Sequence, residues 1–249
     1  MNSFDLTGTV AVVTGGGQGI GEGIAKNLAA AGASVVVAAR HQDRIERVAR
    51  EINDTGAQAI AVVTDVTDRS ALEALADAAV DTFGGLHTWV NNAGGSSVRQ
   101  PLDEMSDDDW DQCLSLNLTS VWRASVVAAA RMTDGGSIIN ISSPAGDRGV
   151  PGSGHYAAAK AGVNSLTKTM SLELAPNIRV NGISPGYVPT EVMMIALDTD
   201  EAALEAMATK RVPLKRLGTP DDMGSTAVYL ASGAGGWVTG QTIIVAGGL

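Results

Sequence analysis

The chain has 249 residues, of which 45% are hydrophobic, enough to bury one sizeable core in a single domain. With 17 Lys and Arg against 27 Asp and Glu, the net charge is −10, which excludes a non-specific nucleic-acid binder and argues against binding to anionic lipid. One cysteine and three histidines exclude a disulfide framework and disfavour any metal site, and the lack of a long apolar run or a signal peptide predicts a cytoplasmic protein.

Seven short runs of β-branched and apolar residues recur along the chain. We predict them as strands, because runs that are apolar throughout are typical of a parallel sheet covered on both faces. The runs are Val10–Val13, Val35–Val37, Ile60–Val63, Trp89–Val90, Ile138–Ile141, Arg179–Ile183 and Ile243–Val245.

The stretches between these runs have helical spacing. In Ser70–Phe83 the apolar residues fall on one face, and Ser70 with Glu73 fits a capping box. The helix that begins near Gln42 is predicted to end at Gly56. This alternation predicts a single α/β domain over residues 1–249, with a doubly wound seven-stranded parallel sheet, helices on both faces, and a binding site at the carboxyl ends of the strands.

A glycine-rich turn, Thr14–Gly21, follows the first predicted strand and precedes a predicted helix, Glu22–Ala31. Glycine permits a tight turn and a close approach of ligand to backbone, and a helix N-terminus suits a pyrophosphate. The spacing of Gly15, Gly19 and Gly21 differs from the G-x-G-x-x-G fingerprint. A plain strand-to-helix turn therefore remains an equal alternative.

The end of the second predicted strand bears on the cofactor. NAD enzymes commonly carry an acidic residue there for the adenosine ribose, but this chain has Arg40. A guanidinium binds phosphate through two hydrogen bonds, so Arg40 predicts a preference for NADP(H) over NAD(H), with NAD still possible. The alternative is that Arg40 is only a solvated charge in a loop.

Tyr156 and Lys160 lie four residues apart at the start of a predicted helix and share a face that differs from its core face. The core face is predicted to comprise Val163, Leu166, Met170 and Leu174. A nearby ammonium favours the phenolate and lowers the pKa of tyrosine, which is about 10 when unperturbed. The pair therefore predicts a general acid/base, although it could also be structural.

Two further polar residues are candidates for the same site. Ser143 stands thirteen residues before Tyr156, just after a predicted strand, and its hydroxyl could bind a substrate oxygen. The alternative is that Ser142 and Ser143 form a turn that caps the strand. Asn117 lies inside the amphipathic stretch Asp107–Met132, where it could instead be a buried amide with its hydrogen bonds satisfied.

In order along the chain, these segments resemble those of classical short-chain dehydrogenases/reductases. Thr14–Gly21 is similar to the family's T-G-x-x-x-G-x-G motif, Asn91–Gly94 to its N-N-A-G motif and Pro185–Thr190 to its P-G-x-x-x-T segment. Asp65 and Val66 resemble the pair that contacts the adenine ring. The resemblance covers essentially the whole chain.

The resemblance implies a single-domain Rossmann fold and an NAD(P)-dependent oxidoreductase that moves a hydride between nicotinamide and a secondary alcohol or ketone. It implies that Tyr156 is the acid/base, that Lys160 lowers its pKa and holds the nicotinamide ribose, that Ser143 positions the substrate oxygen, and that Asn117 holds a water in a proton relay. Besides Tyr156 and Lys160, the implied cofactor residues are Gly15, Gly17, Gln18, Gly19, Ile20, Gly21, Arg40, Asp65, Val66, Asn92, Ala93, Gly94, Pro185, Gly186, Val188 and Thr190.

Three residues depart from the family's pattern. Gln18 stands where NADP-dependent members often carry a basic residue, which weakens the NADP prediction. His87 and Ala246 stand where the family usually has aspartate, and we interpret His87 as structural. His155, beside Tyr156, is interpreted as a core or surface histidine because neighbouring helix residues point in different directions.

The region from about residue 190 to 211 resembles the family's mobile substrate lid. Its apolar, methionine-rich run Val192–Leu197 favours an apolar or bulky alcohol or ketone, with an ordinary buried helix face as the alternative. Hydroxysteroids, sugars and 3-oxoacyl thioesters stay open as substrates, and a cofactor-binding redox sensor without turnover stays open as a function. The family also implies a homotetramer, paired through Asp107–Met132, Tyr156–Leu174 and the last strand.

Overall fold

The computed structural model describes residues 2–249 and contains one parallel sheet of seven strands, in the order β3-β2-β1-β4-β5-β6-β7. The predicted fold class is confirmed, and no strand extends more than two residues beyond its predicted run at either end. The strands are β1 (Val10–Thr14), β2 (Ser34–Ala39), β3 (Ala59–Val63), β4 (Thr88–Asn91), β5 (Gly136–Ile141), β6 (Ile178–Pro185) and β7 (Thr242–Val245).

The strand order reverses between β1 and β4, which are hydrogen-bonded neighbours in the middle of the sheet. Val12 pairs with Val36 of β2 on one side and with Trp89 of β4 on the other. The loops after β1 and β4 leave this point toward opposite faces of the sheet, and such a reversal opens a crevice at the carboxyl ends of the strands. The glycine-rich turn and the Asn91–Gly94 segment therefore meet at that crevice.

Residues 2–249 form nine α-helices, and helices pack on both faces of the sheet. On one face, Ile24, Leu28 and Ile45 pack against β-strand residues, and on the other face Leu72 and Leu75 do so. All five side chains are fully buried, as expected for helices whose apolar residues share one stripe. The helices are α1 (Gly19–Ala30), α2 (Gln42–Asp54), α3 (Arg69–Phe83), α4 (Asp107–Leu114), α5 (Ser120–Ala129), α6 (Gly154–Glu173), α7 (Glu191–Leu197), α8 (Glu201–Arg211) and α9 (Pro220–Ala231).

The starts of α1 and α3 differ from the predictions. The predicted capping box at Ser70 is wrong, because Asp68 caps α3 by accepting a hydrogen bond from the Ser70 amide. Glu73 instead accepts from the Arg69 side chain at 3.1 Å. The first helix begins at Gly19, three residues earlier than predicted, so Gly19 and Gly21 belong to its first turn.

The amphipathic stretch Asp107–Met132 is not one regular helix. A π-helical turn, Ser115–Thr119, separates α4 from α5. Such turns insert one extra residue into a helix and often occur at functional sites. Asn117 lies within this turn, so its position is tied to the change in helical geometry.

Residues 2–249 hold neither a membrane-spanning helix nor a metal-binding cluster. No helix among them combines the length and the apolar character needed to cross a bilayer. Likewise, the described part of the chain contains no group of three or more His, Cys, Asp or Glu side chains placed to hold a metal ion. The one cysteine, Cys113, is a buried free thiol.

Candidate active site

The four predicted catalytic residues converge at the carboxyl end of the sheet. The Lys160 Nζ lies 5.5 Å from the centroid of the Tyr156 ring, one turn along α6. Ser143, just after β5, is in polar contact with Tyr156. A Cβ added at Gly94 would lie 2.8 Å from the Asn117 Oδ1 and 3.6 Å from the Lys160 Nζ, so the amide and the amine flank the same glycine.

The Lys160 side chain is buried in the crevice, with only 4% of the residue exposed. Its Nζ donates a hydrogen bond to the Ile141 carbonyl at 2.8 Å, and it has no carboxylate partner among residues 2–249. Burial lowers the pKa of Lys160 to about 8, because an ammonium loses hydration there without gaining an opposite charge. Lys160 is therefore still mostly charged at neutral pH.

Tyr156 departs from one prediction. Its ring is half-buried, and desolvation raises the pKa of the phenol to about 12, while the contact with Ser143 acts in the opposite direction. The prediction that Lys160 brings this pKa below 10 is thus wrong for the chain by itself. Loss of hydration around the phenolate outweighs the hydrogen bond with Ser143, since the phenol lies in a dry crevice.

The Asn117 side chain is fully buried and has partners for both ends of its amide. Its Oδ1 accepts from the Gly95 N–H at 2.8 Å, and its Nδ2 donates to the Gly95 carbonyl at 2.9 Å and to the Cys113 carbonyl at 3.0 Å. Both Nδ2 hydrogens are therefore used. The alternative of a satisfied buried amide describes this side chain, and the amide also fixes the loop after β4.

Ser143 and Ser142 have different roles in the turn after β5. Ser142 donates to the Asn164 Oδ1 at 2.6 Å and is structural. The Ser143 Oγ accepts from the Ala145 amide at 3.2 Å and caps a short 3₁₀ turn, Pro144–Gly146. The capping bond leaves the hydroxyl hydrogen of Ser143 free to donate. Ser143 can thus be both the predicted cap and a donor to a substrate oxygen.

The glycine-rich turn fits a dinucleotide. Gly15 and Gly19 have φ angles of +64° and +55°, a conformation that favours glycine. A Cβ at Gly21 would overlap the Gly15 carbonyl oxygen and the Asn92 Nδ2, so no larger residue fits there. Gln18, the N-cap of α1, makes no side-chain capping bond, which leaves the first amides of the helix available to an anion such as a pyrophosphate.

The predicted cofactor residues Asn92 and Ala93 hold this turn in place. The Asn92 Nδ2 donates to the Thr14 and Gly15 carbonyls at 2.9 and 3.1 Å. The Ala93 amide donates to the Thr14 Oγ at 3.1 Å, and that hydroxyl in turn donates to the Val90 carbonyl. The Asn91–Gly94 segment therefore fixes the position of the glycine-rich turn, through hydrogen bonds from the Asn92 side chain and the Ala93 amide.

At the adenosine end of the crevice, Arg40 is exposed and has no hydrogen-bond partner among residues 2–249. Asp65 accepts from the Thr67 hydroxyl and amide, which lower its pKa, and the positive charge of Arg40 adds a smaller lowering. Val66 beside it is buried. By contrast, Arg44 pairs with Glu191 at 2.9 Å, so Arg40 is the arginine left available after β2.

The segment after β6 lines the opposite end of the crevice. Thr190 caps α7 by accepting from the Met193 amide, and its Cγ2 would lie 2.9 Å from a Cβ added at Gly19. Three other predicted cofactor residues mainly pack: Gly186 donates its amide to the Val245 carbonyl, and Val188 and Ile20 contact the core. Pro185 ends β6.

The predicted lid consists of α7 and α8. No residue of α7 is buried, and Val192 and Ile195 are 41% and 56% exposed, so a buried helix face is the wrong interpretation of this helix. Its start is held to α2 by the Arg44–Glu191 ion pair. This link between residues 147 positions apart left no signal in the sequence.

Two histidines are confirmed as core or structural residues. The His87 Nδ1 accepts from the Val10 amide at 3.0 Å and joins β1 to the start of β4, at the amino end of the sheet. His155 is fully buried, and its Nε2 lies 2.9 Å from the Ser96 Oγ.

Residues 15–249 match a protein family described as enoyl-(acyl carrier protein) reductase. The chain is 38% identical over 250 residues to the 7alpha-hydroxysteroid dehydrogenase of Escherichia coli strain K12, covering 99% of this chain and 96% of that protein. It is 36% identical over 253 residues to the 3-oxoacyl-[acyl-carrier-protein] reductase of Chlamydia muridarum, with full coverage of both.

Solved structures are equally similar. A 7alpha-hydroxysteroid dehydrogenase complexed with NADH and 7-oxo glycochenodeoxycholic acid superposes with a TM-score of 0.92 at 37% identity, covering 99% of this chain and 96% of that one. A gluconate 5-dehydrogenase from Burkholderia cenocepacia, in complex with NADP and tartrate, gives a TM-score of 0.91 at 37% identity, with coverage of 99% and 96%.

Proposed function

The chain belongs to the short-chain dehydrogenase/reductase family and is an NAD(P)-dependent oxidoreductase, and from that premise we propose that Asn117, Ser143, Tyr156 and Lys160 carry its reaction. The reaction is hydride transfer between nicotinamide and a secondary alcohol or ketone. The observation that carries the assignment of residues is the Lys160 Nζ, buried 5.5 Å from the Tyr156 ring and beside Asn117 across Gly94.

Tyr156 is the acid/base in this proposal. In the reducing direction its hydroxyl gives a proton to the carbonyl oxygen, and in the oxidising direction the phenolate takes the proton from the alcohol. Lys160, charged at neutral pH, stabilises the phenolate that forms. The Ser143 hydroxyl, which contacts Tyr156 in the free chain, donates its hydrogen to the substrate oxygen and holds that oxygen toward Tyr156. Asn117 fixes Gly95 and holds a water that relays protons to Lys160.

The cofactor is held by the glycine-rich turn, the amides at the start of α1 and the residues after β6. When bound, it supplies or accepts the hydride at nicotinamide C4. Lys160 holds the nicotinamide ribose and Thr190 the carboxamide side. At the other end, Arg40 binds the 2′-phosphate of NADP(H), because it is the unpaired arginine after β2.

The substrate is an apolar or bulky alcohol or ketone. This part of the proposal rests on the apolar residues of α7, none of which is buried in the core and one of which, Val192, lies against Gly95. A surface of this kind buries apolar area when the lid closes on a substrate. The names of relatives include a hydroxysteroid, a sugar acid and a 3-oxoacyl thioester, and these three classes define the compounds to try.

The enzyme assembles as a homotetramer in the cytoplasm. Exposed apolar side chains lie on α5, on α6 and around β7, and β7 is an edge strand whose outer side is unpaired. These side chains are Trp122, Val126, Leu172, Trp237 and Ile244.

A panel of ketones tests the function. The purified protein is mixed with NADPH or NADH and a steroid ketone, a keto sugar acid or a 3-oxo ester, and the reduced-nicotinamide absorbance is followed. Turnover of one class, lost in Tyr156→Phe while NADPH still binds, supports the proposal. A cofactor-binding sensor would bind NADPH but give no hydride transfer even in a single turnover.

A further inference from the structure

A seam of contacts, in which His155 is the buried residue, joins the loop after β4 to the first turn of α6. In it the Ser96 Oγ lies 2.9 Å from the His155 Nε2, and the Gln100 amide donates to the Gly152 carbonyl at 3.0 Å. Leu102 packs against Gly154, where an added Cβ would lie 2.7 Å from its side chain. His155 is the residue directly before Tyr156, so the seam connects this loop to the helix that carries the acid/base.

The hydrogen bonds in the seam define the protonation of His155. The Ser96 hydroxyl has one hydrogen, and it donates that hydrogen to the Val98 carbonyl at 3.2 Å. In that arrangement the His155 Nε2 donates to the Ser96 Oγ, which lies 2.9 Å away. Its Nδ1 is buried without a hydrogen-bond partner, as expected for a bare lone pair. Burial lowers the pKa of His155, only partly opposed by Asp109, which agrees with a neutral imidazole.

The loop that His155 holds is also fixed from its other side. The Asn117 amide binds both the N–H and the carbonyl of Gly95. Gly95 has a φ of +136°, and a Cβ there would lie 2.7 Å from the Val192 Cγ1 in α7. Gly95 thus contacts the lid, and the loop around it is held at Gly95 by Asn117 and at Ser96 by His155.

We propose that His155 is a positioning residue: as the neutral Nε2–H tautomer it holds Ser96, and through it residues 94–98, as the wall of the substrate site against which α7 lies. This inference rests on the proposed function for its effect on catalysis, but its structural part can be tested without any substrate. Because Gly95 of this loop lies against Val192 of the lid, loss of the bond should weaken substrate binding more than it slows the chemical step.

The tautomer is read by ¹⁵N NMR of the imidazoles at neutral pH. The chain has three histidines, so the signals of His155 are found by subtraction with His155→Gln. We expect one pyrrole-type nitrogen, Nε2, and one pyridine-type nitrogen, Nδ1. An Nδ1–H tautomer or an imidazolium would overturn the proposal.

Three variants test the positioning role. His155→Leu removes the donor, His155→Gln keeps an N–H near the Nε2 position, and Ser96→Ala removes the acceptor. In the substrate-free protein we expect faster amide exchange over residues 94–98 in His155→Leu and Ser96→Ala, with protection recovered in His155→Gln. His87→Gln, at the opposite end of the sheet, is the matched control and should lower the Tm without changing exchange in this loop.

With a ketone that the wild-type protein reduces, KM for the ketone should rise about tenfold in His155→Leu, with much smaller changes in kcat and in NADPH affinity and with recovery of KM in His155→Gln. The double variant His155→Leu/Ser96→Ala should have the same KM as either single variant, because both substitutions remove the same hydrogen bond. Unchanged loop exchange in His155→Leu, or no recovery in His155→Gln, would overturn the inference. If no ketone is reduced, the proposed function fails while the NMR and exchange results still decide this point.

Discussion

Tyr156 and Lys160 sit one helical turn apart in a dry crevice, with the amine 5.5 Å from the ring centroid, and burial disfavours the charged form of each. The pKa of Tyr156 lies at about 12 and that of Lys160 at about 8. With these pKa values, at neutral pH Tyr156 is a neutral proton donor and Lys160 is a cation beside it. The phenol is thus protonated in the free chain, and a second positive charge is needed to make it a base.

This relationship predicts how Tyr156 titrates. In the cofactor-free protein, the phenolate absorbance of Tyr156 should appear only as the pH approaches about 12, and oxidised nicotinamide should move it downward because its ring carries a positive charge. Ultraviolet difference titration of the wild-type protein against Tyr156→Phe isolates this signal from the two other tyrosines. Ionisation below pH 10 without cofactor would contradict the proposed balance of burial and charge.

Replacing Lys160 separates catalysis from stability. Lys160→Met should abolish turnover yet not lower stability at neutral pH, since it removes a buried charge without a carboxylate partner. In the wild-type protein the pKa of Lys160 is about 8 when folded and 10.5 when unfolded. The cost of its charge is therefore fully present below pH 8, and wild-type stability should rise relative to Lys160→Met as the pH increases through this window, by ~3 kcal/mol at most.

Urea unfolding of both proteins at pH values below and above that window measures this difference. A wild-type protein that loses stability relative to Lys160→Met between them would show that Lys160 has a favourable partner when charged.

The NADP preference is tested at Arg40. Arg40→Ala should lower kcat/KM for NADPH by roughly 10–100-fold, the effect of losing a charge-assisted phosphate contact, and should leave NADH almost unchanged. Arg50→Ala is the matched control, because Arg50 is an exposed arginine nearby on α2 and pairs only with Glu46 at 3.7 Å. Equal loss with both cofactors would place Arg40 outside the phosphate site.

The close packing of the glycine-rich turn predicts the effect of one methyl group. Gly21→Ala should lose cofactor binding and lower the Tm, because the added Cβ would meet the Gly15 carbonyl and the Asn92 amide. Gly149→Ala is the control, since nothing lies within 4 Å of a Cβ at Gly149. Calorimetry with NADPH and thermal unfolding report both effects, and tight NADPH binding by Gly21→Ala would show that the turn can move aside.

The oligomeric state is tested at Leu172, which is 81% exposed near the end of α6. If α5 and α6 pair with another subunit, Leu172→Asp should halve the mass measured by light scattering. Val63→Asp, on the outermost strand β3, serves as the control because that exposed valine lies at the far edge of the sheet from β7. A wild-type monomer would rule out the proposed tetramer.

Much of this structure was predictable from the sequence because its signals are local. Apolar runs identified every strand, and the spacing of Tyr156 and Lys160 placed both on one helix face. Asp68, and not Ser70, caps α3, because the Asp68 carboxylate accepts hydrogen bonds from both the amide and the hydroxyl of Ser70. That competition is also local, but a capping box pattern does not reveal it.

The rest depends on contacts between distant residues. The Arg44–Glu191 pair and the Asn117–Gly95 bonds join elements whose sequences carry no mark of each other. The pKa of Tyr156 could not be predicted because it depends on how completely the folded crevice excludes water. The spacing of charged residues gives the sign of one contribution, whereas burial, which only the fold determines, has the opposite sign and is larger.

The π-helical turn at Ser115–Thr119 lies between α4 and α5 and changes the direction in which the side chains of the two helices point. Its additional residue offsets the two halves by ~100° of rotation, so Asn117 can point inward to Gly95 while Trp122 and Val126 further along look outward. Deleting a single residue there would restore regular winding, yet it would swing either the amide out of the crevice or the tryptophan into the protein. The local irregularity thereby lets the Asn117 amide face the crevice while Trp122 faces outward.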